Sequence, residues 1–188
     1  ISALLSNTRV RCLKADSKDN LWVATTGMGV YKISRSRGEY VIKNYTEEDG
    51  MPGMRFRNIC ELSDGSIVVA GDYGVAVLQN NSVKHVFSSQ NGLSNEKSLC
   101  LFEYRDALYV GSDGGGISVI QENKVVNNIG KKDGLSSDVI LRMVYDPSTD
   151  GVFIVTSNGL CYMSPDEDIK SLNQFPYSNN YDMVCNTD

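Results

Sequence analysis

Apolar residues along this chain fall in short runs of four to seven, broken by clusters of Gly, Asn, Asp and Ser, with no stretch of 3.6-residue periodicity. In the first forty-odd residues the runs are Val10 to Ala15, Leu21 to Thr25, Val30 to Ser34 and Tyr40 to Tyr45. The breaks are Asp16-Ser17-Lys18-Asp19-Asn20, Gly27-Met28-Gly29 and Arg37-Gly38. Val, Ile, Tyr and Leu dominate the runs, so the pattern predicts four short strands joined by tight turns.

The pattern then repeats. Asp49-Gly50-Met51, Asn91-Gly92-Leu93 and Asp133-Gly134-Leu135 stand 42 residues apart in both intervals. A second landmark reads Leu21-Trp22-Val23-Ala24-Thr25, Ile67-Val68-Val69-Ala70-Gly71, Leu108-Tyr109-Val110-Gly111-Ser112 and Val152-Phe153-Ile154-Val155-Thr156. After each comes a glycine and a short apolar run, opening at Gly29, Gly74, Gly116 and Gly159, where a sharp turn calls for positive φ. Four short antiparallel strands per repeat of this length are the mark of a β-propeller blade, whereas leucine-rich repeats are shorter and helical repeats show a 3.6 period. The expected fold is all-β, with four-stranded blades at about 9–48, 49–90, 91–132 and 133–178. The tail 179–188, with Tyr181 to Cys185, reads as the first strand of a further blade. Four blades plus one strand read as a fragment of a larger propeller, because an open arc would expose the flat faces of its end blades. Either further blades or a second copy would cover them.

Composition narrows the classes. Hydrophobic residues make up 41% and charged residues 22%, as in a soluble globular chain. A net charge of −5 argues against nucleic acid, and no run approaches the roughly 18 apolar residues of a membrane span. The segment from Ile1 to Cys12 shows no signal peptide and no initiator Met, so the sequence reads as a piece of a longer protein with no membrane contact of its own. The five cysteines, Cys12, Cys60, Cys100, Cys161 and Cys185, form no CxxC pair and are expected as small apolar residues without zinc.

Catalytic chemistry finds no set to build on. His85 is the sole histidine and falls on the expected outermost strand of the second blade, away from the central mouth. Asp19, Asp64, Asp146 and Asp150 fall at hairpin turns, where Asp serves turn geometry. Gly114-Gly115-Gly116 lacks the helix and Lys-Ser/Thr of a phosphate loop and coincides with a hairpin. No catalytic residue, metal ligand or cofactor is expected. Trp22 shares its repeat position with Val68, Tyr109 and Phe153, which points to packing between blades.

These residues resemble the two-component regulator propeller repeat. Leu21-Trp22-Val23-Ala24-Thr25 with Gly29-Val30-Tyr31 corresponds to its "LWIGT … GG(V/I/L)Y" unit, and Asp133-Gly134-Leu135-Ser136 to its "DGL(P/S)" linker. The resemblance runs from Arg9 to Ser178 and departs most in the second copy, where Val68 replaces the aromatic residue and Met51-Pro52 replaces Leu-Pro. It implies a ligand- or partner-sensing region, extracytoplasmic, of a bacterial membrane signalling protein whose output is a histidine kinase or a diguanylate cyclase. The segment from Phe175 to Tyr181 looks more like the cyclase-linked members. Other readings are a propeller lyase or hydrolase acting on a polysaccharide or peptide, and a dimerisation scaffold.

By analogy with propellers, one face gathers the linkers between blades and the hairpins between second and third strands. It would present Arg9, Arg55, Arg57, Asn95, Lys97 and Asp138 from the linkers, and Met28, Asp72, Tyr73, Asp113 and Asn158 from the hairpins. Alternation would put Arg55 and Arg57 on one strand face, able to fork onto carboxylates or sulfates, with Tyr73 to stack on a sugar ring. An oligosaccharide or other small ligand is the expected partner, alongside self-association or the remaining blades.

Overall fold

The computed structural model describes residue 6 and residues 8–172; the expected strand within 179–188 lies outside the described residues. The described chain forms four four-stranded antiparallel sheets, each in sequence order. The first blade is β1 (Arg9–Ala15), β2 (Leu21–Thr26), β3 (Val30–Ser36) and β4 (Glu39–Tyr45). The second is β5 (Phe56–Glu61), β6 (Ile67–Gly71), β7 (Gly74–Gln79) and β8 (Ser82–Phe87). The third is β9 (Ser98–Tyr104), β10 (Ala107–Ser112), β11 (Ile117–Gln121) and β12 (Lys124–Ile129). The fourth is β13 (Ile140–Asp146), β14 (Gly151–Thr156), β15 (Gly159–Met163) and β16 (Ile169–Ser171).

The blades stack face to face, and the core lies between them. Trp22, Ala24 and Tyr45 of the first blade meet Phe56, Ile59, Ile67 and Val69 of the second. Val68, Ala70 and Val75 on the opposite face of the second meet Leu108, Val110 and Ile120 of the third. Tyr109, Ile117 and Val119 on the third blade's far face meet Ile140, Met143, Val152 and Ile154 of the fourth. Because β6 is covered on both sides, every residue in it is buried, which is why Ile67-Val68-Val69-Ala70 is an unbroken apolar run rather than an alternation. Trp22 stacks on Tyr45 with ring centroids 5.6 Å apart, so the between-blade position inferred for it holds. Phe153, at the same repeat position, packs against Tyr162 on the far face of the fourth blade.

The Asp/Asn-Gly-Leu/Met units have a double role. Each ends a short 3-10 turn (Glu47–Asp49, Ser89–Asn91, Lys131–Asp133) whose last side chain accepts a hydrogen bond from the backbone N–H that opens the turn, Thr46, Ser88 or Gly130. The following glycine takes the left-handed cap, with φ of 91° at Gly50, 111° at Gly92 and 108° at Gly134. Met51, Leu93 and Leu135 then insert between blades, each burial contributing about 2 kcal/mol. Away from these linkers, Ser17 in the first hairpin donates through backbone N–H and hydroxyl to Glu61 of the next blade, and Ser63 does the same to Glu103. These clasps fix the angle between successive blades at the face opposite the linkers.

A further regularity was not expected. In every innermost strand the register slips by one residue, with Arg11, Arg57, Leu99 and Leu141 as the extra residues. Such a bulge bends and twists the strand where it starts, at the linker face.

Candidate ligand-binding face

The linker face is sewn together by backbone. The Gly27 and Gly29 N–H groups of the first blade's hairpin both donate to Met54 C=O, in the linker to the second blade. Gly114 and Gly116 N–H likewise donate to Asp138 C=O in the linker to the fourth. Thr25 and Ser112 shape the two hairpins alike. Each hydroxyl donates to a glycine carbonyl, of Gly29 or Gly116, and accepts from a hairpin N–H, of Met28 or Gly115. The Gly114–Gly116 run is thus a hairpin, with Gly116 at φ 75° and its missing Cβ only 2.0 Å from Ile129 O.

Most of the side chains singled out on this face have structural partners. The Asn95 amide donates to Asp113 C=O at 2.9 Å and accepts from Lys97 N–H at 2.9 Å. Lys97 is ion-paired with Asp113. Asp138 accepts from Lys131 N–H at 2.8 Å, and Asn158 donates to Ser136 C=O. Arg57 and Arg55 do not share a strand face as simple alternation predicts, because Arg57 is the bulged residue of β5. Its Nε donates to Asp72 at 2.6 Å, and both side chains are largely buried.

Arg9, Arg55 and Tyr73 are different. Arg9 pairs across β1–β2 with Thr26, and Thr26 bridges to Arg55 at the entry to the second blade. The two arginines therefore flank Thr26, about 10 Å apart at Cα by strand spacing. Both side chains are exposed, and neither guanidinium has a hydrogen-bond or ion-pair partner among the described residues. Arg11, which no candidate set included, is exposed at the bulge that Arg57 occupies in the second blade. Its signal was available as the spacing Arg9-x-Arg11 against Arg55-x-Arg57. Tyr73 is 53% exposed, its ring against Gly53, where a Cβ would lie 2.5 Å from the ring. Arg9, Arg11 and Arg55 thus carry exposed guanidiniums without a partner among the described residues, and Tyr73 follows Asp72, whose N–H donates to Arg55 C=O.

Cys12, Cys60, Cys100 and Cys161 are free, and burial pushes up the thiols of Cys12, Cys60 and Cys100, the last to about 12. His85 is half-buried on β8, the outermost strand of the second blade. Among the described residues there is no group of three or more metal-ligating side chains and no helix long and apolar enough to cross a membrane.

The comparisons with known proteins agree with the repeat. A family model described as two component regulator propeller matches residues 4–27, through β1 and β2. No curated protein sequence matches. Among solved structures, the chain is similar to the extracellular domains of two hybrid two-component systems from B. thetaiotaomicron. One is 18% identical with a TM-score of 0.74, over 88% of this chain and 25% of that one. The other is 20% identical with a TM-score of 0.74, over 90% of this chain and 24% of that one. The chain thus spans about a quarter of the length of those domains. It is also similar to a catalytically inactive histidine-to-alanine variant of virginiamycin B lyase from Staphylococcus aureus, in a structure with quinupristin. That match is 16% identical with a TM-score of 0.71, covering 92% of this chain and 57% of the lyase. At these identities the likeness shows the fold, which is the propeller.

Proposed function

We propose that these propeller blades, which carry a two component regulator propeller repeat, are part of the extracytoplasmic sensing region of a bacterial membrane signalling protein. The blades are one portion of a larger propeller and do no chemistry of their own. Their role is to take a ligand or partner on the linker face, at the junction of the first and second blades. The observation that carries this reading is the set of exposed Arg9, Arg11 and Arg55 guanidiniums, without a partner among the described residues, together with the exposed Tyr73 in the hairpin that bonds Arg55 through Asp72 N–H. Guanidiniums fork onto carboxylate or sulfate, and a tyrosine face stacks on a sugar ring, so the chemistry fits an oligosaccharide or other small ligand carrying negative groups.

A lyase acting on a polysaccharide or peptide is the second reading, favoured by the fold likeness to virginiamycin B lyase. Against it stands the placement of the sole histidine on the outermost strand of the second blade, at the rim and three strands from the innermost β5.

Thermal-shift and calorimetric screening of neutral and acidic oligosaccharides separates the readings. An acidic ligand that raises the melting temperature and is recovered unchanged supports sensing, with the shift lost in Arg55→Ala and Tyr73→Ala. Turnover of any panel member supports the lyase. Binding indifferent to both substitutions, or none across the panel, overturns the proposed site.

A further inference from the structure

The outermost strand of a propeller blade is an open edge, with a row of backbone N–H and C=O groups available to another strand. Two of the outer strands here are blunted. β8 carries a bulge at Lys84, and β12 carries one at Val126. β16 is only three residues long. β4 is neither bulged nor short: it pairs with β3 in unbroken register over all seven residues, from Val30↔Tyr45 to Ser36↔Glu39. It also exposes three consecutive large hydrophobics, Tyr40 at 65%, Val41 at 51% and Ile42 at 39%. A flat, apolar, exposed edge of this length is the kind that native sheets normally cover or break.

The register says which backbone groups are free. β3 and β4 are joined by the two-residue turn Arg37-Gly38, with φ of 50° and 88°, so Ser36 and Glu39 form a hydrogen-bonded pair. Antiparallel pairs alternate, so Val41 and Lys43 also spend their N–H and C=O groups on β3, while Tyr40, Ile42 and Asn44 turn theirs outward. We propose that β4 is a self-association edge, pairing antiparallel with β4 of a second copy about a two-fold axis at Val41.

The sequence Glu39-Tyr40-Val41-Ile42-Lys43 is self-complementary about that axis. Tyr40 faces Ile42 of the other copy as a hydrogen-bonded pair, which needs the outward backbone groups both residues have. Val41 meets its own counterpart. Glu39 faces Lys43 as a non-hydrogen-bonded pair, the type in which side chains approach closest. Two opposite-charge pairs thus close the interface, and no like charges meet. Tyr40 and Ile42 share the blade face of Ile33, Tyr31 and Val23, so that apolar stripe continues across the junction. Within its own chain Lys43 Nζ lies 3.3 Å from Asp49 and 4.6 Å from the Tyr45 ring centroid, and it stays 47% exposed to receive Glu39 of the second copy.

Sedimentation velocity of the 188-residue chain across about 5 to 500 µM tests this, with circular dichroism melts verifying that each variant is folded. The wild type is expected to show a concentration-dependent dimer. Glu39→Lys and Lys43→Glu should each weaken it by about tenfold, through like charges at two symmetric pairs. The double variant should recover the wild-type dissociation constant. Val41→Lys, at an exposed position that sets two ammonium groups against each other on the axis, should leave a monomer. A wild type that stays monomeric throughout overturns the proposal, including the case in which β4 pairs only with a foreign strand. A dimer indifferent to Val41→Lys, or one that the double variant fails to restore, overturns it equally.

Discussion

The Trp22 Nε1–H donates to Asp16 Oδ2 at 2.8 Å, tying the first hairpin to the core between the first and second blades. The same carboxylate accepts from the backbone N–H groups of Lys18 and Asn20 and from the Asn20 amide. Burial alone would raise the Asp16 carboxyl, but these hydrogen bonds outweigh it and hold it below its ordinary range. Replacing Asp16 with Ala strands the indole N–H and two turn donors, at an expected cost of about 1–3 kcal/mol in urea unfolding. Its acid dependence follows from the depressed carboxyl. The contribution is complete above the unfolded value, about 3.9, and is lost as pH falls through the folded one. The stability gap between wild type and Asp16→Asn should therefore narrow as pH drops from about 5 toward 2. A gap constant with pH would rule out the carboxylate as its source.

Tyr45, stacked on Trp22, is fully buried, and its hydroxyl has no hydrogen-bond partner. Burial, with the nearby Asp49 charge, pushes its phenol up, so it stays neutral. A buried hydroxyl without a partner costs its desolvation and returns nothing. Tyr45→Phe is expected to keep the fold and to raise unfolding free energy by about 1 kcal/mol. A loss of stability in equilibrium unfolding would mean that the hydroxyl is satisfied in solution.

Positions that repeat with the blade were legible from sequence, and positions whose partners lie in another blade were not. Trp22 could be placed between blades because Val68, Tyr109 and Phe153 recur at its position, and recurrence reports a shared environment. The turn glycines were legible for the same reason, and Gly29, Gly74, Gly116 and Gly159 all have positive φ. The bulge at Arg57 was not, since an extra residue in a strand leaves no change of composition. Simple alternation therefore paired Arg55 with Arg57 wrongly. The loop residues Asn95, Lys97, Asp113 and Asp138 read as free because polarity in a linker does not reveal which backbone groups it caps. Only the contact across chain segments separates them from Arg9, Arg55 and Tyr73.

Glycine is required at Gly116 for two separable reasons. Its φ is 75°, and a Cβ would meet Ile129 O at 2.0 Å. Gly65 has nearly the same φ, 79°, with nothing within 4 Å of its Cβ position. Gly65→Ala thus reports the backbone cost alone, about 1–2 kcal/mol. Gly116→Ala adds a clash with backbone that cannot rotate away, and should cost at least about 3 kcal/mol or prevent folding. Equal losses in chemical denaturation would show that the outer strand β12 gives way freely.

Arg57 and Arg55 are two residues apart and should fail in opposite ways. Arg57 Nε and Asp72 lie 2.6 Å apart with both side chains mostly covered, so Arg57→Ala leaves a half-buried carboxylate without its cation. That should cost about 1–3 kcal/mol of stability, since hydrogen bonds to charged groups are among the stronger ones. The Arg55 guanidinium is exposed and has no partner among the described residues, so Arg55→Ala should leave the melting temperature within about 1 °C of wild type, as surface changes do. If the linker face binds an anionic ligand, the same Arg55→Ala protein should lose most of the affinity that wild type shows. In Arg57→Ala, binding should fall only as far as the folded population does. Titration calorimetry beside a melt for each variant reads both axes. A destabilised Arg55→Ala, or an Arg57→Ala that binds worse while fully folded, would exchange the roles of the two arginines.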